Sequence, residues 1–231
     1  MERIQDQAKL DYYIKKYSVN ELFTKDMREY MELVSFKKNE YLISDKEDVW
    51  ALMLLVSGKT KAFTTLSNGK SLLLRFYEGF QILGDLEVLT SKDTFTNVQA
   101  IEETYCIAIA FEYVNLYLLE DAKFLRAICR ELGTKLKESS KNSSINLLYS
   151  LENRLASYIY TTGERVTQSG HNKIIFDENL TYIAEILGTS YRHLLRTLNV
   201  LCTKGVLSKC GCYYEVLDEN TLMALSADLY R

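Results

Sequence analysis

The stretch GTSYRHLLRTL at residues 188–198 crowds Tyr191, Arg192, His193 and Arg196 into the start of one short segment. All four side chains can donate hydrogen bonds, and no acid sits beside them. Between Glu185 and Glu215 the sequence has no Asp or Glu, while it holds Arg192, His193, Arg196, Lys204 and Lys209. A solvated helix face normally mixes signs, so a single-sign run in a chain of net charge −3 implies a surface that meets an anion. Arg192 and Arg196 are four apart and share a face if the segment is helical. Guanidinium groups in such a row are bidentate partners of guanine edges and of phosphates. Their chemistry is therefore recognition of duplex DNA, with no bond made or broken.

Such a row needs a scaffold, and the flanking sequence supplies one. Asp177 to Asn179 offer caps for a helix over Leu180–Leu187, and Ser190 is placed to cap a second helix. Ala184 is small where two helices cross closely, and Gly188, four residues on, supplies the turn. Ile183, Leu187, Leu194 and Leu198 form the buried contact between the two helices. Thr197 departs from the aliphatic residue usual at its inner position. VLSKCGCYYEV then reads as a hairpin turning at Cys210-Gly211, a wing beside the helices. The whole is a winged helix-turn-helix. Its second helix presents Ser190, Tyr191, Arg192, His193 and Arg196 to the major groove, with Lys204 and Lys209 set for phosphates.

The rest of the chain divides in two. Residues 5–32 carry helical spacing and read as one or two short helices. From about residue 33 to 111 the texture becomes short apolar runs cut by turns: VSF, YLI, VWALMLLV, TKAFTTL, SLLLRFY, TNVQAI and TYCIAIAF, with Ser57-Gly58, Asn68-Gly69 and Glu78-Gly79 between them. Asn-Gly between two strand-like runs is a strong hairpin signal, and strands at this spacing predict a small β-barrel or sandwich. Residues 112–146 turn helical, with one narrow stripe of Leu125, Ile128, Leu132 and Leu136. That stripe either packs on the barrel or pairs in parallel with the same helix of a second copy; its place between two domains favours the pairing. A further helix is expected over 147–162, then a turn through ERVTQSGHN and a strand at KIIF. The expected domains are 1–118 (barrel with N-terminal helices), 119–146 (dimerisation helix) and 147–231 (winged helix-turn-helix).

Composition narrows the function classes. The 231 residues are 47% hydrophobic and 26% charged, an ordinary globular balance. No run approaches the ~18 apolar residues of a membrane span, and the first residues lack the apolar core of a signal peptide; a cytoplasmic protein is expected. The five cysteines have no regular spacing and read as free thiols. A cupin-type enzyme needs clustered histidines and carboxylates, but the only histidines, His171 and His193, fall outside the barrel region. No nucleophile motif is present, so no catalytic residue, metal site or cofactor is assigned.

Barrel, long helix and winged helix-turn-helix in this order resemble the Crp–Fnr family of bacterial transcription regulators over about 200 residues. LVSGKTKAF with NGK is similar to the family's opening hairpins, and Leu180 to Leu207 to its DNA-reading segment; SYRHLL most resembles the YeiL-type members. The resemblance implies an α+β chain with a cyclic-nucleotide-binding-like jelly roll. It also implies a homodimer on a palindromic operator with half-sites about 34 Å apart, RNA polymerase as a further partner, and a small-molecule effector in the barrel.

Cyclic AMP is not that effector by the residues present. The family's Gly-Glu-Leu turn falls on Gly84-Asp85-Leu86, a shorter acid, and its Arg-Ser pair falls on Thr94-Phe95, so the phosphate arginine is missing. A buried phosphodiester without a cation is costly. Ser139-Ser140 match the family's hydroxyl pair, or are plainly solvent-exposed serines. The effector is another small molecule, or none. A sensing cluster needs about four thiolates close together. Cys106 and Cys129 stand apart from Cys202, Cys210 and Cys212, and none lies in the N-terminal segment where the family's cluster ligands occur. They read as reduced side chains, with a thiol switch beside the DNA surface as the alternative.

Overall fold

The computed structural model describes residues 1–45, 47–67, 71–90, 94, 96–168, 171–227 and 229, with the side chains of residues 168, 171 and 172 also outside the described set. The Asn68-Gly69 turn therefore lies outside the described residues. The rest forms two compact units: residues 1–64 with 76–139, and residues 65–75 with 140–231. No helix among the described residues is long and apolar enough to cross a membrane.

The first unit begins with strand β1 (Glu2–Ile4) and helix α1 (Gln7–Lys16). Strands β2 (Met31–Phe36), β3 (Tyr41–Ile43), β4 (Ala51–Ser57), β5 (Lys59–Thr65), β6 (Ser71–Glu78, whose residues up to Arg75 count with the second unit) and β7 (Gln81–Leu83) follow, then helix α2 (Asp85–Leu89), β8 (Asn97–Ala100) and β9 (Thr104–Ala110). They form two antiparallel sheets, ordered β1-β2-β9-β4-β7 and β3-β8-β5-β6. β4 is buried along nearly all its length, and Val34, Leu54 and Ile107 from one sheet share a core with Ile43, Ala62 and Val98 from the other. This is the barrel-like sandwich that the strand-like runs predict, in the jelly-roll form that the family resemblance implies. Gly58 turns β4 into β5 at φ 93, where a Cβ would strike Thr104.

One local expectation is corrected. Past Lys16 the N-terminal segment is not α-helical: Ser18 adopts a left-handed φ of 50, and the chain makes 3₁₀ turns at Val19–Leu22 and Arg28–Tyr30. The helical region after the barrel holds two helices, α3 (Phe111–Tyr117) and α4 (Ala122–Leu148), and α4 falls on the helix expected at 119–146. Asp121 lies between them. Its carboxylate accepts from the Lys123 N–H and from Thr24, which fixes the start of α4.

α4 uses the expected stripe unevenly. Ile128 is fully buried in the core of the first unit beside Phe124, so it is not free to pair with a second copy. Leu125 and Leu132 are half-buried against that core, whereas Leu136 is 70% exposed.

The second unit contains the end of α4, α5 (Leu151–Thr162), β10 (Glu164–Gln168), β11 (His171–Phe176), α6 (Leu180–Ile186), α7 (Tyr191–Thr203), β12 (Leu207–Cys210), β13 (Tyr213–Val216) and α8 (Glu219–Ser226). Its sheet runs β10-β11-β13-β12. The segment ERVTQ, expected as a turn, is strand β10, paired with β11 from Glu164↔Ile175 to Gln168↔His171. Its polar sequence hid it: Glu164, Arg165 and Thr167 are exposed and Val166 is half-buried.

Candidate nucleic-acid interface

α6, the turn and α7 are fixed by local chemistry. The Asn179 side chain accepts from the Thr181 and Tyr182 N–H groups and starts α6. α6 ends in a Schellman arrangement. The Gly188 N–H donates to the Glu185 carbonyl and the Thr189 N–H to the Ala184 carbonyl, with Gly188 at φ 62. Two residues later the Ser190 hydroxyl accepts from the His193 N–H and opens α7. The helix-to-helix turn is thus four residues, held at both ends by hydrogen bonds. Ile183, Leu187, Leu194 and Leu198 are all fully buried, and Ala184 is buried beside them. Thr197 is buried as well; its hydroxyl donates to the His193 carbonyl, which satisfies it inside the helix.

Four of the residues singled out, Tyr191, Arg192, His193 and Arg196, lie exposed on α7. Among the described residues, no side-chain hydrogen bond or ion pair engages Arg192 or Arg196. Nδ1 of His193 lies 3.2 Å from the Thr189 hydroxyl. Ser190 acts as the cap. Lys209 is exposed on β12, opposite Tyr214 of the wing. Lys204 differs from expectation: its ammonium lies 2.6 Å from a carboxylate oxygen of Glu152 on α5, so it is not an unpaired phosphate contact. Nothing local in sequence announces that pair, because its members are 52 residues apart.

Residues 33–121 match the family described as cyclic nucleotide-binding domain, and residues 153–225 match the Crp-like helix-turn-helix domain. The chain is 30% identical over 207 residues to the regulatory protein YeiL of Escherichia coli O157:H7, covering 90% of this chain and 91% of that one. The chain belongs to the Crp–Fnr family of transcription regulators. It is also 22% identical over 192 residues to the fumarate and nitrate reduction regulatory protein of Vibrio cholerae, covering 82% of this chain and 76% of that one. Its fold matches a crp/fnr-family transcriptional regulator of Eubacterium rectale at a TM-score of 0.73 and 17% identity, over 87% of this chain and 92% of that one. These relatives are regulators, not enzymes, and the winged helix-turn-helix of this Crp–Fnr protein is its DNA-binding element.

The barrel positions assigned by family resemblance can now be located. Gly84 is left-handed at φ 82 and opens α2; Asp85 follows, 3% exposed, and Leu86 is exposed. Lys135 of α4, which the sequence reading did not select, donates to both carboxylate oxygens of Asp85 and to the Ile82 carbonyl. Thr94 is engaged with its neighbour: its hydroxyl bonds the Thr96 carbonyl and accepts from the Thr96 N–H. Phe95 lies outside the described residues. Ser139 and Ser140 are exposed on α4.

Among the thiols, Cys106 is buried in the barrel and Cys129 is exposed on α4. Burial pushes the Cys202 thiol up, and the nearby Lys209 only partly opposes it.

Proposed function

We propose that this Crp–Fnr regulator binds a palindromic operator as a homodimer, one α7 in each major groove, with control exerted through the barrel and not by cyclic AMP. The observation that carries the reading is the exposed row Tyr191, Arg192, His193 and Arg196, in which neither arginine has a protein partner among the described residues. Desolvating a guanidinium on DNA costs least when no internal ion pair must first be broken. Arg192 and Arg196 read base edges, Tyr191 touches a phosphate or a thymine methyl, His193 donates to a phosphate, and Lys209 holds the backbone beside the wing. Such a role implies the cytoplasm as its site of action and RNA polymerase as a partner of the bound dimer.

One observation favours a second reading, DNA binding without a diffusible effector. Asp85 stands where the family's ligand-facing acid falls, yet it is already satisfied by Lys135. The thiol-switch alternative gains nothing at Cys202, whose thiol burial pushes up, away from the reactive thiolate.

The test of DNA reading is a titration on an operator selected from a random duplex library. Arg192→Ala relaxes preference at one position of each half-site, a loss of roughly 1–3 kcal/mol of discrimination. Unchanged affinity and preference in both Arg192→Ala and Arg196→Ala refutes the assignment of α7.

A further inference from the structure

α5 reaches both ends of the helix that carries the DNA-reading row: the turn before it and the residue just past it. Five neighbouring side chains of α5 reach outward to the rest of the second unit. Glu152 pairs with Lys204 at the end of α7, Asn153 donates to the Leu225 carbonyl, Ser157 to the Leu229 carbonyl and Tyr158 to Glu178. The fifth is Arg154, whose Nη1 donates to the Leu187 carbonyl at 2.8 Å. Leu187 is the last residue before left-handed Gly188, and its carbonyl is one of the groups a helix end leaves without an internal partner. The residue is fully buried; its backbone also forms an antiparallel bridge with Leu72, and Arg154 is the side chain that reaches its carbonyl.

We propose that Arg154 is the positioning residue of the DNA-reading helix: by pinning the Leu187 carbonyl it sets the pose of α7 for sequence-specific contact. The inference rests on the reading of α7 as the DNA-reading element. Three features of the structure support it. First, the turn between α6 and α7 spans only Leu187–Ser190, so a shift at Leu187 passes directly to Ser190 and the start of α7. Second, the Arg154 Nε is buried and has no hydrogen-bond partner among the described residues. A buried donor left unmet costs stability, so tight packing alone would favour an apolar residue here; what arginine adds is a charged donor aimed at one carbonyl. Third, Arg154 and Glu152 hold the two ends of the same assembly. One fixes the turn before α7, and the other fixes Lys204 just past its last residue. α5 begins at Leu151, with two residues between it and the end of α4.

The experiment compares wild type, Arg154→Met and Arg154→Lys in two ways. Amide hydrogen exchange at Gly188 and Thr189, in the protein without DNA, reads the pin directly. Titrations on a selected operator and on a scrambled duplex of the same length, over a salt series, read its consequence. Arg154→Met accelerates exchange at both amides and lowers the operator-to-scrambled affinity ratio about tenfold, the scale of one hydrogen bond from a charged donor. Affinity for the scrambled duplex and the salt slope stay at wild-type values, because the residue touches no phosphate. Arg154→Lys, which keeps the charge and one donor, restores the ratio to within about threefold of wild type.

Unchanged exchange in Arg154→Met overturns the proposal whatever the DNA does. Faster exchange with an unchanged ratio overturns it too, as does an equal loss on both duplexes accompanied by a lower melting temperature. A wild-type protein that binds both duplexes equally overturns the DNA reading itself and this proposal with it. That failure is seen in the unmutated control, so the two are told apart.

Discussion

The ammonium of Lys135 lies 2.7 and 2.9 Å from the two carboxylate oxygens of Asp85 and 2.6 Å from the Ile82 carbonyl oxygen. Both partners are largely withdrawn from water, so the pair makes up for its desolvation only while it stays complete. Lys135→Met strands a buried carboxylate and is expected to lower the unfolding free energy by about 3 kcal/mol. Adding Asp85→Leu removes the orphaned charge and recovers most of that loss. Urea unfolding of the two variants checks this. A single-mutant change below ~1 kcal/mol means that water already reaches the pair.

The same pair bears on ligand choice. A nucleotide whose sugar hydroxyl sought Asp85 must displace Lys135, and its phosphate would meet Thr94 where the family places an arginine. Cyclic AMP at millimolar concentration is therefore expected to leave the melting temperature unchanged. A ligand present at a hundred times its dissociation constant adds about 2.7 kcal/mol, which a thermal scan detects. A clear rise identifies the protein as a cyclic-nucleotide binder.

The helix-turn-helix was legible in the sequence because its determinants are local. Asn179, Gly188 and Ser190 act within three to five residues of themselves, through caps and a left-handed turn, and Ile183, Leu187, Leu194 and Leu198 keep helical spacing. The strands of the barrel were legible for a similar reason, since alternation and turn residues repeat at short range. Strands β1 and β7 escaped because their sequences, ERI and QIL, carry no apolar run like the YLI of β3. The pairs Lys135–Asp85, Lys204–Glu152 and Arg154–Leu187 were out of reach, because residues 50, 52 and 33 apart meet only after the chain has folded. The stripe on α4 was visible, but its division was not. Spacing puts Ile128 near Leu125 and Leu132 without saying which of them faces the chain's own core.

The two lysines first assigned to phosphate should now behave differently. Lys209 is exposed on the wing, and no ion pair engages it among the described residues; Lys204 is paired with Glu152. Lys209→Ala is expected to weaken operator and scrambled DNA alike and to reduce the slope of log K against log salt by about one. Lys204→Ala leaves that slope within about 0.3 of wild type, because the charge it removes is already balanced by Glu152. Equal losses of slope in both variants would mean that the Lys204–Glu152 pair opens on DNA.

The proposed dimer seam has one clean probe. Leu132 packs partly against the core of its own chain, so a charge at Leu132 confounds association with folding. Leu136, one helical turn further on, is 70% exposed, and Leu147 further along α4 is 84% exposed. Apolar side chains this open on one helix invite a covering surface, and a second α4 in parallel register supplies one with matching spacing. Leu136→Glu places two like charges in that seam without touching a buried group of its own chain. Sedimentation of the variant is expected to give a monomer at concentrations where wild type is a dimer, with the monomer still folded by circular dichroism. Leu116→Glu, at a leucine 65% exposed on α3, serves as the control and leaves association intact. Loss of the dimer also removes the second half-site contact, so the operator affinity of Leu136→Glu falls towards that of a single half-site while its base preference within that half-site persists. A Leu136→Glu protein that remains a dimer at low micromolar concentration puts the seam elsewhere on the chain.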